Sequence, residues 1–479
     1  MSAGDIWQES NKDDSILKLE HHFSQTFQKG KPEYYVKVPG RVNLIGEHVD
    51  YCGYSVFPMA IKQCIIVAAK RLSGHNIVRI TNTDTQSYED VSQTISDIDA
   101  VTIGKSQSWT NYFFCGIKGA QEYMTEKQLK TVENVGFLFA VSGNIPESAG
   151  LSSSSALVTA ALISTLAGYG VSVPRHQLAE ISAKCERYIG TAGGGMDQAI
   201  AIHAKKGFAS RINFNPLTIQ QFRLPDDVTF IVAQSLAIKN KAASNDFNTR
   251  VVECRLASQI IAKSQNIDWK NLTVLSQLQK TLKYSLDEMI KLVHQHLHKS
   301  KFTKNEICEI LSVTEDELNV ISLTPNTTNV LEFYLHQRAL HVFKEAKRME
   351  KFCEECENSC SPIELGELMN LSHTSLRDLY DCSQSDLEEL IELCKQGGAY
   401  GCKLTGAGWG GCVVIMVPSN IKEKFIQFLK DKFYSKRSVD KNKLTKVIFA
   451  TKPSDGAFIF KSPGVEIDKL YELPPLKIL

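Results

Sequence analysis

A serine-rich stretch of the chain has residue types that bind phosphate. The segment NIPESAGLSSSSALVTAALISTL runs from a strand-like sequence through Gly150 and the serines at 152–155 into an apolar helix. The first backbone N–H groups of a helix have no partner within the helix, so together with serine hydroxyls they can bind an anion. A serine hydroxyl there can also be a ligand of Mg²⁺. The residues leave open a second interpretation, in which the serines only cap a buried helix.

A second stretch, PGRVNLIGEHVDYCGY, concentrates polar side chains around a turn. Arg41, Asn43, Glu47, His48 and Asp50 fall within ten residues. Such a mixture of hydrogen-bond donors and acceptors on a loop suits the neighbouring hydroxyl groups of a sugar. The alternative is an ordinary exposed loop, in which single carboxylates are common.

An aspartate follows three consecutive glycines in the segment TAGGGMDQ. Asp197 is at a position where it could cap a helix. Alternatively, the glycines bring the backbone against a ligand and leave Asp197 facing it. The residues alone leave both interpretations open.

Glycines in the segment LTGAGWGGCVVIMV have the G-x-G-x-x-G spacing of a dinucleotide-binding turn. Gly406, Gly408 and Gly411 lead directly into the strand-like residues 412–417, whereas a dinucleotide turn must open a helix. No acidic residue ends a second strand about 20 residues on, where a ribose would be bound. The pattern therefore disfavours a nicotinamide or flavin enzyme. It indicates either a tight turn or a close approach of the backbone to an anion.

Composition argues against several classes of partner. The 479 residues carry a formal net charge of +1, which gives no electrostatic reason to bind nucleic acid or an acidic membrane. The N-terminal sequence lacks the basic and apolar parts of a signal peptide, and no apolar run approaches the ~20 residues that span a bilayer. The 13 cysteines are scattered. We therefore expect a cytoplasmic protein with reduced thiols.

Two clusters of potential metal ligands give weak signals. The cysteines of CEECENSC have no second pair of ligands after them, so they do not predict a zinc site. The histidines of HQHLH do not share one helix face, and we expect them in a solvated loop. The residues concerned are Cys353, Cys356, Cys360, His294, His296 and His298.

Hydrophobic patterns divide the chain into two halves, at 1–230 and 231–479. The first half contains the strand-like runs YYVKVPGRVNLIG, CIIVAAKRL and VGFLFAVSGNI and the buried-helix sequence SSSALVTAALISTLAGYG. The second opens with the strand TFIVAQS and continues with a helical region over about 245–360, in which SLDE and TEDE are capping boxes. It ends with the strands GCVVIMV, KVIFA and GAFIF, the last two flanking a Pro-Ser-Asp-Gly turn. The sequence assigns no role to the helical insert at about 265–330.

The polar and glycine-rich stretches together resemble one enzyme family. GRVNLIGEHVDYCGYSVFPMAI is similar to the galactokinase signature, and NIPESAGLSSSSA and KLTGAGWGGCVVIMV resemble the second and third motifs of the GHMP small-molecule kinases. The likeness extends over roughly residues 15–460. It implies an α+β, two-lobed GHMP kinase fold with mixed sheets and helices and the active site between the lobes. It also implies ATP- and Mg²⁺-dependent phosphorylation of a sugar at its anomeric hydroxyl, by a protein that we expect to be a monomer.

The resemblance also implies roles for the residues at matching positions. Asp197 is implied to be the catalytic base beside Arg41, whose charge is expected to lower the pKa of the aspartate. The residues implied to bind the sugar are Arg41, Glu47, His48, Asp50, Gly194, Gly195, Asp197 and Phe247. Those implied to bind the nucleotide are Trp109, Gly150, Ser152, Ser153, Ser154, Asn240, Lys241 and Gly408, and those implied to bind Mg²⁺ are Ser153 and Glu186.

One departure from the galactokinase pattern bears on the sugar. Galactokinases usually carry a tyrosine in a segment resembling SSEYPVR, and the matching segment here, SNDFNTR, has Phe247 in its place. The substitution resembles the N-acetylgalactosamine kinase branch, because a less polar site near C2 suits an acetamido group. We therefore expect N-acetylgalactosamine as the main substrate and galactose as a weaker one. A galactokinase acting mainly on galactose is the alternative, since one hydroxyl rarely gives absolute discrimination.

A function of another class is a non-catalytic sensor of sugar and ATP that binds a regulatory protein. Relatives of that kind lack two residues directly after the serine run. Ser155 and Ala156 are present here, so the resemblance favours an enzyme.

Overall fold

A computed structural model of the chain describes residues 14–95, 108–129, 135–147, 149–190, 193–237, 245–437, 439–440 and 444–461. Among these residues, no helix is both long enough and apolar enough to cross a membrane. In the same ranges, no group of three or more His, Cys, Asp or Glu side chains is arranged to hold a metal ion.

The described residues form strands along most of the chain. In chain order these are β1 (Tyr34–Asn43), β2 (Pro58–Ser73), β3 (Ile77–Asn82), β4 (Val91–Thr94), β5 (Val135–Gly143), β6 (Phe208–Asn213), β7 (Thr218–Arg223), β8 (Val228–Gln234), β9 (Phe302–Thr303), β10 (Glu332–Phe333), β11 (Gly401–Thr405), β12 (Cys412–Pro418), β13 (Ile448–Thr451) and β14 (Phe458–Lys461).

Helices alternate with the strands and dominate the middle of the second half. They are α1 (Asp14–Phe27), α2 (Trp109–Glu126), α3 (Ser153–Gly168), α4 (Arg175–Cys185), α5 (Met196–His203), α6 (Asp246–Ser264), α7 (Leu275–Leu282), α8 (Leu286–His296), α9 (Lys304–Leu311), α10 (Glu315–Ile321), α11 (Leu335–Asn358), α12 (Pro362–Asp378), α13 (Ser385–Gln396), α14 (Lys422–Lys432) and α15 (Leu444–Val447).

The larger sheet has six strands in the order β14-β1-β2-β5-β3-β4. Side chains alternate between its two faces, as the pleat of a strand requires. Tyr35 and Leu138 join a core beneath α1, whereas Val36 and Phe139 join the main core, to which most of the buried side chains of α2 and α3 also belong. Both faces are therefore covered, and the central strand β5 is buried along most of its length.

A register shift in β1 directs Arg41 toward the serine loop (residues 149–155). The pairing of β1 with β2 shifts between Pro39 and Arg41. Pro39 has no amide hydrogen to donate to the ladder. At Gly40 an added Cβ would lie 2.8 Å from the carbonyl oxygen of Leu151, so only glycine fits there. The amide of Arg41 then donates to that same carbonyl at 3.2 Å.

A second sheet has four strands in the order β11-β12-β8-β13. β8 pairs with β12 and β13, so a division between residues 230 and 231 would cut a paired strand. We propose instead that the division lies before Val228. The strands β13 and β14, expected on either side of a Pro-Ser-Asp-Gly turn, belong to different sheets: β13 pairs with β8, and β14 returns to pair with β1. They therefore do not form a hairpin with each other.

The helical region predicted over 245–360 is confirmed, and α7 to α10 form its insert. The capping boxes at Ser285 and Thr314 are present, and a third, at Thr303, was not predicted. The expected loop at HQHLH is wrong, because His294 and His296 form the last turn of α8. That helix continues because Leu292 and Val293 are buried against its neighbours while the two histidines occupy its more exposed side.

A fully buried carboxylate on α11 supports the polar loop (residues 41–51). Glu345 accepts hydrogen bonds from the amide of Gly46 at 2.8 Å, from Ser372 Oγ at 2.6 Å and from Arg348 Nε at 2.8 Å. Burial alone would raise the pKa of Glu345, but the nearby charges, that of Arg348 first, outweigh burial and lower it to about 2. His341, one turn earlier, donates from Nε2 to the carbonyl oxygen of Glu47, and burial lowers its pKa to about 4.

Helices α2 and α3 approach each other at a glycine. A Cβ added at Gly116 would lie 2.4 Å from the carbonyl oxygen of Val158. Gly116→Ala would gain up to ~1 kcal/mol of helix propensity, but overpacking costs roughly 1–3 kcal/mol, so we expect net destabilisation. Chemical denaturation measures the change. The exposed substitution Glu126→Ala on the same helix is the control and should stay within about 0.5 kcal/mol of the original protein. Equal or greater stability of Gly116→Ala would contradict the close helix crossing.

The pKa values of Glu345 and His341 predict loss of stability in acid. Both groups bind a proton less readily in the folded state, so the stability they contribute is present above their unfolded pKa values and is lost as the pH falls. The stability that His341 contributes should be lost as the pH falls from 6.5 to about 4. The stability that Glu345 contributes should be lost as the pH falls from 4.5 to about 2. For Glu345 the contribution at neutral pH is on the order of 3 kcal/mol.

Denaturation of the original protein and of Glu345→Gln at a series of pH values tests this expectation. The variant cannot ionise at this position, so the difference in stability between the two proteins should narrow below pH 4.5. A difference that stays constant with pH would show that Glu345 is not held ionised by the fold.

Candidate active site

A cavity of about 780 Å³ is lined by several separate segments of the chain. They include residues 82–89, Trp109, the serine loop, and the glycine turn (residues 406–411). A second cavity of about 40 Å³ is lined by the polar loop, the glycines before Asp197, and Phe247. The two cavities share four lining residues: Arg41, Glu186, Asp197 and Ala407. The four polar and glycine-rich stretches singled out from the sequence therefore surround one site.

The serine loop presents the N-terminus of α3 to the larger cavity. Ser152 precedes the first residue of α3, has a φ of 62° and makes no side-chain capping bond. Its hydroxyl is buried and has no hydrogen-bond partner among the described residues. The interpretation that the serines merely cap a buried helix is therefore wrong for Ser152. The uncapped helix start leaves backbone N–H groups and the positive end of the helix dipole available to an anion.

Arg41 connects the serine loop to Asp197. Its Nε donates to Asp197 Oδ1 at 2.8 Å, and its Nη1 donates to the carbonyl oxygen of Gly150 at 2.6 Å. The side chain of Arg41 is 6% exposed and that of Asp197 is 19% exposed. The expected juxtaposition of these two residues is present, and screening by water is weak at this depth. Gly150 has a φ of 73°, which only glycine adopts easily.

Asp197 lies in the first turn of α5 and does not cap it. The capping position belongs to Gly195, whose φ is 97°. One oxygen of Asp197 accepts from Arg41, and the other lies 3.4 Å from Ser155 Oγ. Of the two interpretations of the sequence, the one in which Asp197 faces a ligand cavity agrees with this position.

Ser155 was not among the predicted site residues, yet it contacts both acidic groups of the site. Its hydroxyl donates to Glu186 Oε1 at 2.6 Å and lies near Asp197. Ser153, predicted to bind Mg²⁺ with Glu186, lines the larger cavity, as Ser155 and Glu186 also do. Ser153 and Ser155 point to different sides of α3, since residues two apart on a helix do not share a face. The available sequence signal was that Ser155 belongs to the pair of residues, with Ala156, that the non-catalytic sensors lack.

The smaller cavity has a polar side and an aromatic side. Asp50 belongs to the polar side, and an added Cβ at Gly194 would lie 2.5 Å from Asp50 Oδ2, so glycine is required there. His48 and Phe247 face each other with ring centroids 5.8 Å apart, and Tyr51, which was not predicted, completes the aromatic side. Phe247 is 6% exposed.

Glu47 lines the smaller cavity, but protein donors occupy both of its oxygens. Oε2 accepts from Lys403 Nζ at 2.7 Å and from Asn43 Nδ2 at 2.6 Å, and Oε1 accepts from the amide of Gly406 at 2.7 Å. Burial raises the pKa of Glu47, and the charge of Lys403 opposes that effect. Glu47 therefore links the polar loop to Lys403 on β11 and to the glycine turn. Lys403 is the first residue of the motif KLTGAGWGGCVVIMV, but the sequence assigned it no role.

The glycine turn packs directly on the serine loop. A Cβ added at Gly406 would lie 2.5 Å from the carbonyl oxygen of Gly150, and one added at Gly408 would lie 2.2 Å from that of Cys382. Gly406, Gly408, Gly410 and Gly411 all have positive φ. The turn opens β12 and not a helix, as the sequence predicted, so it lacks the helix start that a dinucleotide-binding turn requires.

Trp109 is the first residue of α2 and lines the larger cavity. Its ring meets that of Tyr88 edge to face at a centroid distance of 5.4 Å. Its indole Nε1 is buried without a hydrogen-bond partner in the described part of the chain. The other predicted nucleotide contacts, Asn240 and Lys241, lie outside the described residues.

Three segments of the chain match known domains. Residues 21–71 match the galactokinase galactose-binding signature, 111–205 the N-terminal domain of GHMP kinases and 349–435 their C-terminal domain. A galactokinase of Dictyostelium discoideum is 36% identical, with 96% of this chain and 97% of that protein covered. A galactokinase of Candida albicans is 31% identical, with 92% and 94% covered.

Solved structures share the fold. Lactococcus lactis galactokinase complexed with galactose superposes with a TM-score of 0.72 at 22% identity, over 92% of this chain and 99% of that one. Methanococcus jannaschii mevalonate kinase superposes with a TM-score of 0.54 at 18% identity, over 88% and 99%. The expected GHMP kinase fold is thereby confirmed, whereas the narrower assignment to N-acetylgalactosamine kinases stays a prediction. The chain belongs to the galactokinase family of the GHMP kinases.

Proposed function

We propose that this protein transfers the γ-phosphoryl group of ATP to the anomeric hydroxyl of galactose. The observation that carries the proposal is the position of Asp197, which lines both cavities and is held by Arg41 at 2.8 Å. A base at the junction of two cavities suits the transfer of a group from a ligand in one to a ligand in the other. The names of the relatives, all galactokinases, support galactose as the acceptor.

ATP is assigned to the larger cavity. The start of α3, with Gly150 and residues 152–154, offers N–H and hydroxyl donors to the phosphates. Gly408 lines the same cavity and lets the backbone come close to a ligand. Trp109 offers an aromatic face to the adenine ring of ATP. Its buried indole N–H, which has no partner among the described residues, can donate a hydrogen bond to that ring.

The donor set around Ser155 fits Mg²⁺. A hydroxyl and the carboxylates of Glu186 and Asp197 are hard oxygen donors within one cluster. Mg²⁺ commonly takes one or two carboxylates and completes its shell with water and substrate phosphates, so a full set of protein ligands is not needed. We therefore assign Mg²⁺ to Ser155 and Glu186, with Ser153 directed at the phosphates. When bound, Mg²⁺ would neutralise charge on the phosphate oxygens.

The sugar is assigned to the smaller cavity and to its junction with the larger one. The free volume of about 40 Å³ exceeds that of a water site but is small for a hexose, so the anomeric end must reach the junction. Asp50 and the backbone of Gly194 and Gly195 would bind the hydroxyls, the ring of His48 would contact the sugar, and Glu47 would fix the loop that carries them.

In the proposed reaction, O1 of the sugar forms a bond to the γ-phosphorus of ATP. The proton of O1 passes to the carboxylate of Asp197, and the bond between the γ-phosphorus and the bridging oxygen of ADP breaks. Arg41 keeps Asp197 oriented, and the N-terminus of α3 stabilises charge that develops on the phosphoryl oxygens. A positioned base of this kind contributes typically ~10²–10⁴-fold to the rate.

A second candidate substrate is N-acetylgalactosamine, and Phe247 is the observation that favours it. Its buried ring lines the sugar cavity and meets the rings of Tyr51 and His48 at 5.4 Å and 5.8 Å. A phenyl ring has no hydroxyl to bind a sugar oxygen, and it offers apolar contact to the methyl of an acetamido group.

A non-catalytic sensor is the less favoured class. Ser155, one of the two residues that sensors lack, bonds Glu186 and lies beside Asp197. Ala156, the other, is buried within α3. Deleting both would remove the contact between the two carboxylates and rotate the rest of the helix.

Asp197→Asn tests the role of Asp197 as the catalytic base. The amide cannot accept the proton, so kcat should fall by at least ~10²-fold, whereas sugar binding measured by calorimetry should survive. Asp287→Asn, at an exposed carboxylate on α8 that pairs with Lys347, is the matched control and should leave kcat unchanged. Near-normal turnover of Asp197→Asn would remove this residue from the mechanism.

Turnover with a panel of acceptors tests the substrate. ADP release is measured with galactose, N-acetylgalactosamine, N-acetylglucosamine and mevalonate, and NMR locates the new phosphate. We expect phosphate at C1 of a galactose-configured sugar. Binding of sugar and ATP without ADP release would support the sensor and contradict the proposal.

Phe247→Tyr separates the two candidate sugars. The added hydroxyl can bond a sugar oxygen, so the ratio of kcat/KM for galactose to that for N-acetylgalactosamine should rise by about tenfold. Phe208→Tyr, on β6 beside Lys205, is the control and should leave the ratio unchanged. An unchanged ratio in Phe247→Tyr would show that this ring does not select the substrate.

A further inference from the structure

A row of hydrogen-bonding side chains runs behind the sugar cavity and ends on the glycine turn. His48 Nε2 lies 3.0 Å from the carbonyl oxygen of Ala407, and His48 Nδ1 lies 2.8 Å from the hydroxyl of Tyr51. That hydroxyl is 2.6 Å from the hydroxyl of Tyr380, which is 3.4 Å from Cys254 Sγ on α6. The row thus joins the helical region to the turn that lines the larger cavity.

The proton positions in this row follow from its last member. A carbonyl oxygen only accepts, so His48 Nε2 must carry a hydrogen to bond Ala407. In a neutral imidazole Nδ1 then accepts, and the hydroxyl of Tyr51 must donate to it. Each hydroxyl has one hydrogen, so Tyr380 donates to Tyr51, and Cys254 donates to Tyr380. Burial raises the pKa of both tyrosines, so both hydroxyls keep their hydrogens.

Tyr380 is held in place by hydrogen bonds to the backbone of its own segment. Arg250 Nε donates to the carbonyl oxygen of Tyr380 at 2.8 Å, and Arg250 Nη2 donates to that of Asp381 at 3.1 Å. The next carbonyl, that of Cys382, accepts from the amide of Trp409 within the glycine turn. The ring of Tyr380 also packs against His48 at a centroid distance of 4.7 Å. Its hydroxyl is therefore a fixed point from which the row can orient His48.

We propose that Tyr51 and Tyr380 are positioning residues that hold His48 as its Nε2–H tautomer, so that His48 holds the glycine turn against the nucleotide. The proposal rests on the assignment of ATP to the larger cavity. Ala407 lines both cavities, so a change in its position alters the nucleotide site without removing a nucleotide ligand. Neither tyrosine touches the reacting atoms in this arrangement.

NMR of ¹⁵N-labelled histidine tests the proton order without any need for turnover. The signal of His48 is assigned by its disappearance in His48→Gln. We expect a protonated Nε2 and an unprotonated Nδ1 near neutral pH. A protonated Nδ1, alone or together with Nε2, would reverse the row and overturn the proposal.

The affinity for ATP, measured by calorimetry in the absence of sugar, tests the effect on the glycine turn. Tyr51→Phe removes the donor to His48, and loss of one neutral hydrogen bond should raise Kd for ATP by roughly 3- to 10-fold. Tyr380→Phe should raise it less. Because Tyr380 acts through Tyr51, the double variant should match Tyr51→Phe, whereas independent structural effects would add.

Tyr34→Phe is the matched control for these variants. Tyr34 is a buried tyrosine whose hydroxyl donates to the carbonyl oxygen of Ser164, near the end of α3 opposite the serine loop. Loss of this hydrogen bond in Tyr34→Phe should lower the stability of the protein without changing Kd for ATP. Unchanged Kd in Tyr51→Phe, or additive effects of the two tyrosines, would overturn the proposal. Absence of phosphorylation by the original protein would contradict the proposed function alone, since the NMR and calorimetric results do not depend on turnover.

Discussion

The arrangement of the site depends on a buried ion pair between Glu47 and Lys403. Their side chains are 2% and 0% exposed, and the carboxylate also accepts from the amide of Gly406. A buried pair of this kind adds little net stability, but loss of one partner leaves an uncompensated charge, at a cost of roughly 3–5 kcal/mol. The pair therefore acts mainly on specificity of structure. The pair fixes the position of the polar loop relative to the glycine turn. The backbone amide of Asn43, which donates to Thr405 Oγ1, reinforces this position.

Close backbone contact is the second constraint on the site. The glycine turn lies so near the serine loop that neither Gly150 nor Gly406 has space for a side chain. This contact brings the N-terminus of α3 beside Arg41 without intervening side chains. Since the donors are held by backbone packing before any ligand arrives, they need little reorganisation during reaction, which is the condition for strong electrostatic stabilisation.

The helical region contributes support from behind the site. Glu345 on α11 accepts from the amide of Gly46, and His341 donates to the carbonyl oxygen of Glu47, so α11 holds the polar loop at two points. Arg250 and Tyr380 fix the segment against which Trp409 of the glycine turn packs. The helices thus do more than cover the sheets, because their buried polar groups satisfy backbone groups of the loops that line the cavities.

The sequence by itself determined the local elements and the chemistry of each motif. Apolar runs predicted the main strands, capping boxes marked Ser285 and Thr314, and the three motifs indicated the family. The tertiary structure decided which residues meet: Ser155 with Glu186, Glu47 with Lys403, and β14 with β1. The physical reason is the separation along the sequence over which each interaction acts. Turns, caps and periodicity arise between residues a few positions apart, whereas contacts such as that of Asn43 with Thr405, 362 residues away, depend on how every intervening element packs.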